Sequence, residues 1–278
     1  MNRSKLVQQI KQKQNYLCVG LDTDPTKIPA HLQSHPNAVF EFNKAIIDAT
    51  KDLCVSYKIN TAFYEAMGIK GWEALQQTVS YIPETHLKIA DAKRGDIGNT
   101  STQYAKTFFE VYGFDAVTVA PYMGEDSVRP FLEYADKWTI VLGLTSNKGS
   151  NDFQQLTVTD NTKVGDPSNA FLYEVVMDKV AAWGTPDNLM FVLGATKADE
   201  LGNLRQRYPD HFFLVPGVGF QGGSLEDVSK AMLTDDAGIL VNVSRAIIYA
   251  SGGENFAKEA AIIAEHNVVE MRQLLARP

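Results

Sequence analysis

The sequence predicts an α/β protein, a single-domain (β/α)8 (TIM) barrel over residues 1–278. Three observations lead there. Short apolar or β-branched runs alternate along the chain with amphipathic segments at helical spacing, and that alternation implies a parallel sheet with helical crossovers. The alternation repeats about eight times, which favours a closed barrel over an open sheet. The chain has 278 residues, 45% hydrophobic and 21% charged. These globular values exclude a disordered or fibrous protein, and single barrels run to about 250 residues.

The strand-like runs fall at 16–22, 55–60, 86–93, 116–121, 139–145, 189–196, 212–219 and 238–244. The first helical segment, 39–53, sets Phe40, Ile46, Ile47 and Leu53 against Glu41, Lys44, Asp48 and Lys51. Further helical segments are expected at 63–79, 99–112, 126–135, 169–183, 199–208, 225–233 and 254–275. One connection stands apart. Residues 147–167 are polar and carry Gly149, Gly165 and Pro167. A structureless insert of about 20 residues is uncommon. It reads either as a functional lid or elaborated loop, or as a surface insertion. No other position reads as a domain boundary.

A net charge of −7 argues against a general nucleic-acid binder, while leaving room for a local cationic pocket. No apolar stretch reaches the ~18 residues of a membrane span. The N-terminus is polar and lacks the apolar core of a secretory signal. Cys18 and Cys54 are too few for a disulfide framework or a four-ligand zinc site, and fit a reduced, cytoplasmic protein. The histidines (His31, His35, His86, His211 and His266) show no metal-ligand spacing, so no metal is expected.

Barrels of this class place their chemistry at the C-terminal ends of the strands. The first run ends at Asp22, the second carries Lys58, and the third carries Asp91 and Lys93, followed by Asp96. The fifth ends in Thr145-Ser146-Asn147 and the eighth in Ser244-Arg245. Asp91 and Lys93, two apart, share a face of their strand. With Ile89 facing the helices, both face the barrel mouth. An Asp-x-Lys alone equally describes a strand-end ion pair. Lys58 on the adjacent strand changes that reading, because converging buried charges are costly unless paired, and such clusters mark functional sites. A lysine between carboxylates keeps its proton, which suits Lys93 as a proton donor and not as a neutral Schiff-base nucleophile.

Residues 217–222 (GVGFQG) match a GxGxxG pattern. A dinucleotide-binding turn belongs in a first strand–turn–helix unit with an acidic residue about 20 positions on. This turn follows the seventh run instead. Its position fits the phosphate site that barrels build after strands seven and eight, where glycines let backbone N–H groups approach oxyanions. Arg245 supplies a permanently charged clamp. A plain tight turn and a surface ion pair are the simpler readings of the two features taken singly. Together they point to an enzyme acting on a phosphorylated small molecule.

These motifs, in this order, resemble one family. Ile89-Ala90-Asp91-Ala92-Lys93-Arg94-Gly95-Asp96-Ile97 is similar to the Asp-x-Lys-x-x-Asp-Ile signature of orotidine 5′-phosphate decarboxylases. The resemblance extends through Gly20-Leu21-Asp22, Lys58, Thr145-Ser146-Asn147, 216–223 and Ser244-Arg245, from about residue 16 to 250. The long connection after Ser146 resembles the longer bacterial branch. The resemblance implies a lyase of pyrimidine (UMP) biosynthesis. It would convert orotidine 5′-monophosphate to uridine 5′-monophosphate and CO2, using neither metal nor organic cofactor. It implies that Lys93 stabilises and protonates C6, that Asp91 crowds the departing carboxylate, and that Lys58 pairs with Asp91 and contacts the ribose. Asp22 would bind a ribose hydroxyl, Ser146 the pyrimidine, and Gln221, Gly222, Ser244 and Arg245 the phosphate end. Asp96 and Thr100 would enter the partner's site in a homodimer. The Gln221–Gly223 turn, and the 147–167 insert with it, is expected to close over substrate.

The rivals are a magnesium-dependent phosphosugar enzyme of the same superfamily and a non-catalytic nucleotide-phosphate binder. The first needs a carboxylate where Lys58 stands. The second has no use for the charged cluster. A fused second catalytic domain is not expected, because the barrel uses the whole length.

Overall fold

Each of the eight strand-like runs forms a strand of one closed parallel barrel. The computed structural model describes residues 1–160, 168–195, 198–218 and 223–276. Its strands in chain order are β1 (Leu17–Gly20), β2 (Ser56–Asn60), β3 (Leu87–Arg94), β4 (Ala116–Val119) and β5 (Trp138–Leu142). They continue as β6 (Thr157–Asp160), β7 (Ser168–Phe171), β8 (Leu189–Val192), β9 (Phe212–Pro216) and β10 (Ile239–Val243). Around the barrel the order is β1-β2-β3-β4-β5-β8-β9-β10, closing back on β1. Strands such as Leu-Cys-Val-Gly in β1 and Leu-Met-Phe-Val in β8 are buried at every position, as parallel strands covered on both faces must be.

Register decides what fills the barrel. Cys18 aligns with Asn242 and with Ser56, Gly20 with Lys58, and Lys58 with Ile89. Neighbours in register share a face. Ile89 therefore lies on the inner face with Lys58, directly below Asp91. This corrects the expectation that Ile89 faces the helices: residues 89 and 91 are two apart, so alternation places both inside. At the opposite end Trp138 and Phe212, the first residues of β5 and β9, meet edge to face with ring centroids 6.1 Å apart.

An additional helix, Arg3–Lys13, closes that end. Asn2 caps it through a hydrogen bond from the Lys5 N–H, and Leu6 and Ile10, four apart, bury its one apolar stripe. Its polar groups satisfy chain segments just before several strands. Arg3 donates to the carbonyls of Pro186 and Asp210, Lys13 to those of Lys51 and Cys54, and Trp138 Nε1 to that of Met1. The stripe is too narrow to stand out in a polar segment, so hydropathy alone passes over it.

Two further expectations change. The 63–79 segment is two helices, Thr61–Glu65 and Ile69–Tyr81, interrupted at Gly68, whose φ of 65° an L residue adopts with strain. The described part of the 147–167 insert is not structureless. It holds a 3₁₀ turn, Lys148–Asp152, and β6, which pairs antiparallel with β7. Residues 161–167 lie outside the described residues. No described helix is long and apolar enough to cross a membrane.

Candidate active site

The C-terminal end of the barrel holds a cavity of about 300 Å³. Asp22, Lys58, Asp91, Lys93, Ser146, Ser244 and Arg245 all line it. Lys58 rises from β2 with its side chain only 4% exposed. Its Nζ lies 3.1 Å from Asp22 Oδ1 and 3.1 Å from Asp91 Oδ2. Burial by itself disfavours the ammonium, but the two carboxylates outweigh it and hold the Lys58 pKa above the ordinary lysine value. Burial likewise opposes the Asp91 carboxylate. Lys58 and Lys93 overcome that penalty and bring Asp91 down to about 2.

Lys93 donates its Nζ to Asp91 Oδ1, yet its side chain is 51% exposed at the cavity mouth. One Asp91 oxygen thus serves the buried lysine and the other the exposed one. The register between β3 and β4 shifts between Ala90 and Arg94, and Lys93 takes a left-handed φ of 47° in that irregularity. Such a backbone is strained for lysine, and strain of this kind collects at functional sites. Thr118 on β4 spans the gap. Its hydroxyl accepts from the Lys93 N–H at 2.9 Å and donates to Asp91 Oδ1 at 3.1 Å.

Asp22 is held as firmly. Ser244 Oγ is 2.9 Å from Asp22 Oδ2 and 3.1 Å from the Gly20 carbonyl. Tyr249 donates to the Asp22 carbonyl at 3.2 Å and Tyr64 to that of Leu21 at 3.1 Å. Ser244 is thereby engaged with Asp22 as well as facing the cavity. Arg245 opens a short helix, Arg245–Ile248, and is exposed at the rim. Ser146 follows β5, and Gln154 of the insert fastens that segment. The Thr145 N–H donates to Gln154 Oε1 at 2.8 Å, and Gln154 Nε2 donates to Thr145 Oγ1 at 2.8 Å.

Asp96 and Thr100 do not line the cavity of their own chain. Asp96 accepts from the Ile97 N–H, and Thr100 is exposed on the helix Gly98–Lys106. Gln221 and Gly222, assigned to the phosphate end, lie outside the described residues. Among the described residues no three His, Cys, Asp or Glu side chains cluster closely enough to hold a metal ion. Leu142 of β5 and Val192 of β8 give the cavity an apolar wall facing the charged row. Attention to charged and polar groups at strand ends alone passes over these two apolar residues and Thr118, which lies inside β4. Counting by twos along each strand finds them.

A family model described as orotidine 5′-phosphate decarboxylase / HUMPS matches residues 15–260. A protein of Christiangramia forsetii named orotidine 5′-phosphate decarboxylase is 55% identical over 269 residues, covering 95% of each chain. One of the same name from Phocaeicola vulgatus is 51% identical over 280 residues, covering 100% of each. The solved structure of Leishmania donovani OMP decarboxylase superimposes with a TM-score of 0.78 at 36% identity, covering 98% of this chain and 99% of its own.

Proposed function

Since the chain belongs to the orotidine 5′-phosphate decarboxylase / HUMPS family, we propose that it decarboxylates orotidine 5′-monophosphate to uridine 5′-monophosphate, the last step of UMP synthesis. The observation that carries this reading is the Lys58–Asp91–Lys93 row at the cavity floor and mouth. The bond between C6 and the carboxylate carbon breaks, CO2 leaves, and the electron pair stays on C6. The Lys93 ammonium stabilises that charge and then gives C6 its proton. Asp91, kept ionised by its two lysines, stands against the substrate carboxylate and is less opposed once CO2 departs. Its contribution is therefore larger in the transition state than in the ground state. A fixed ammonium in a site shielded from water is an effective stabiliser of developing charge.

The remaining roles follow the cavity outward. Asp22 and Lys58 meet the ribose, Ser146 the pyrimidine, and Ser244 and Arg245 the phosphate end with Gln221 and Gly222. Asp96 and Thr100 complete the site of a second copy, which makes the working form a homodimer. It acts in the cytoplasm on a small molecule, with no nucleic acid as partner. The magnesium-dependent reading fits less well. The Lys58 ammonium already stands 3.1 Å from each of Asp22 and Asp91, where it compensates the carboxylates that a cation would need.

The test is turnover of orotidine 5′-monophosphate followed by ultraviolet absorbance with excess chelator, for the wild-type chain and Lys93→Ala. Conversion by the wild type that falls at least about 1,000-fold in the variant supports the assignment. No conversion by folded wild-type protein overturns it.

A further inference from the structure

The backbone at Lys93 needs an explanation that the lysine itself does not supply. Alternation along β3 would carry residue 93 onward on the face of Asp91, but the ladder to β4 slips between Ala90 and Arg94 and rejoins at Arg94 opposite Val119. Lys93 sits in that slip with φ 47°, a conformation its Cβ disfavours. Its N–H has left the regular ladder, and the Thr118 side chain receives it at 2.9 Å. The same hydroxyl has one proton, and it points to Asp91 Oδ1 at 3.1 Å. Thr118 is 1% exposed, so water cannot replace either bond cheaply. Asp91 Oδ1 thus takes both the Thr118 proton and the Lys93 ammonium, while Oδ2 takes Lys58.

We propose that Thr118 is a positioning residue for the reaction. Through one hydroxyl it holds the left-handed turn that aims Lys93 and fixes the rotation of the Asp91 carboxylate against it. This rests on the decarboxylase reading. Thr118 is not among the residues that line the cavity, and it acts through Lys93 and Asp91. Valine has the same shape and removes both bonds at once, leaving the Lys93 N–H unpaired and Asp91 one donor short.

The experiment compares wild type, Thr118→Val and Thr118→Ser for kcat and KM with orotidine 5′-monophosphate, and for calorimetric Kd with uridine 5′-monophosphate. Expected is a fall in kcat of about 10- to 100-fold in the valine variant, the loss of a hydrogen bond to a charged group. The Kd for uridine 5′-monophosphate should stay within about threefold, because product binding does not need the C6 geometry. Serine, which keeps the hydroxyl, should restore kcat to within about threefold. If valine blocks folding, Thr118→Ala takes its place with the same reading. A valine variant as fast as wild type, an affinity loss equal to the rate loss, or a serine variant as slow as valine each overturns the proposal. Absence of turnover by the wild type instead overturns the decarboxylase reading on which it rests.

Discussion

Lys58 Nζ and Asp91 Oδ2 stand 3.1 Å apart across the β2–β3 ladder, a hydrogen-bonded ion pair almost sealed from solvent. Removing one partner of such a pair costs about 3–5 kcal/mol, because the other is left charged in a poor solvent. Lys58→Met should therefore destabilise the chain and lower turnover at least about 100-fold. The pH dependence carries the sign. Asp91 titrates at about 2 in the folded chain, below its ordinary value, so its stabilisation is present at neutral pH and is lost as pH falls through the carboxylate range toward 2. Without Lys58 the Asp91 pKa rises, and protonation relieves the variant. The stability gap between wild type and variant should be widest at pH 7 and narrow toward pH 4. Urea unfolding at both values measures it, and a gap that stays constant would show that Lys58 acts by shape and not by charge.

The charged row was legible because the chemistry demands particular residue types at strand ends, and period-two alternation places them. Lys58 and Asp91 follow from that rule, which also marks Lys93 as a candidate without giving the turn that aims it. Thr118 follows from the same rule but is hidden by composition, since a threonine in Ala116–Val119 reads as an ordinary β-former. The left-handed turn at Lys93 is not legible at all. No glycine marks it, and it arises from a register slip between two strands that are remote in sequence. The N-terminal helix is missed for a different reason. Leu6 and Ile10 supply too little apolar surface to signal a helix, and its stability comes from carbonyls offered by the loops at the barrel's closed end.

Gly194 follows β8 and passes close to the segment carrying Ser146. A Cβ on residue 194 would lie 2.7 Å from Ser146 N and 2.7 Å from Ser146 Cβ. The obstacle includes backbone, and Gln154 fastens the adjoining Thr145, so the loop cannot yield cheaply. Gly194→Ala should cost about 1–3 kcal/mol in stability through overpacking. With Ser146 displaced from the pyrimidine, KM for orotidine 5′-monophosphate should rise about tenfold, the worth of one good hydrogen bond. Steady-state kinetics on the purified variant reads this. An unchanged KM would mean that Ser146 does not contact the base.

His86 lies at the closed end of the barrel, and its effect should be on stability alone. Its Nε2 is 2.7 Å from the Lys51 carbonyl and 3.0 Å from Lys13 Nζ. Burial, and after it the Lys13 ammonium, lowers its pKa from 6.5 to about 4. The unfolded chain therefore takes up the His86 proton first as pH falls. Stability from this residue is complete above about 6.5, declines as pH falls, and is exhausted below about 4. The full loss is on the order of 3 kcal/mol. His86→Gln keeps a donor for the Lys51 carbonyl and cannot take up a proton, so its unfolding free energy should change less with pH between 6.5 and 4 than that of the wild type. Its turnover at pH 7 should match the wild type, because Lys93 and Asp91 stand at the opposite end of their strand. Urea titrations across that window measure the slope. Parallel curves for the two proteins would show that His86 takes up its proton equally in the folded and the unfolded chain, and that neither burial nor Lys13 opposes the charge.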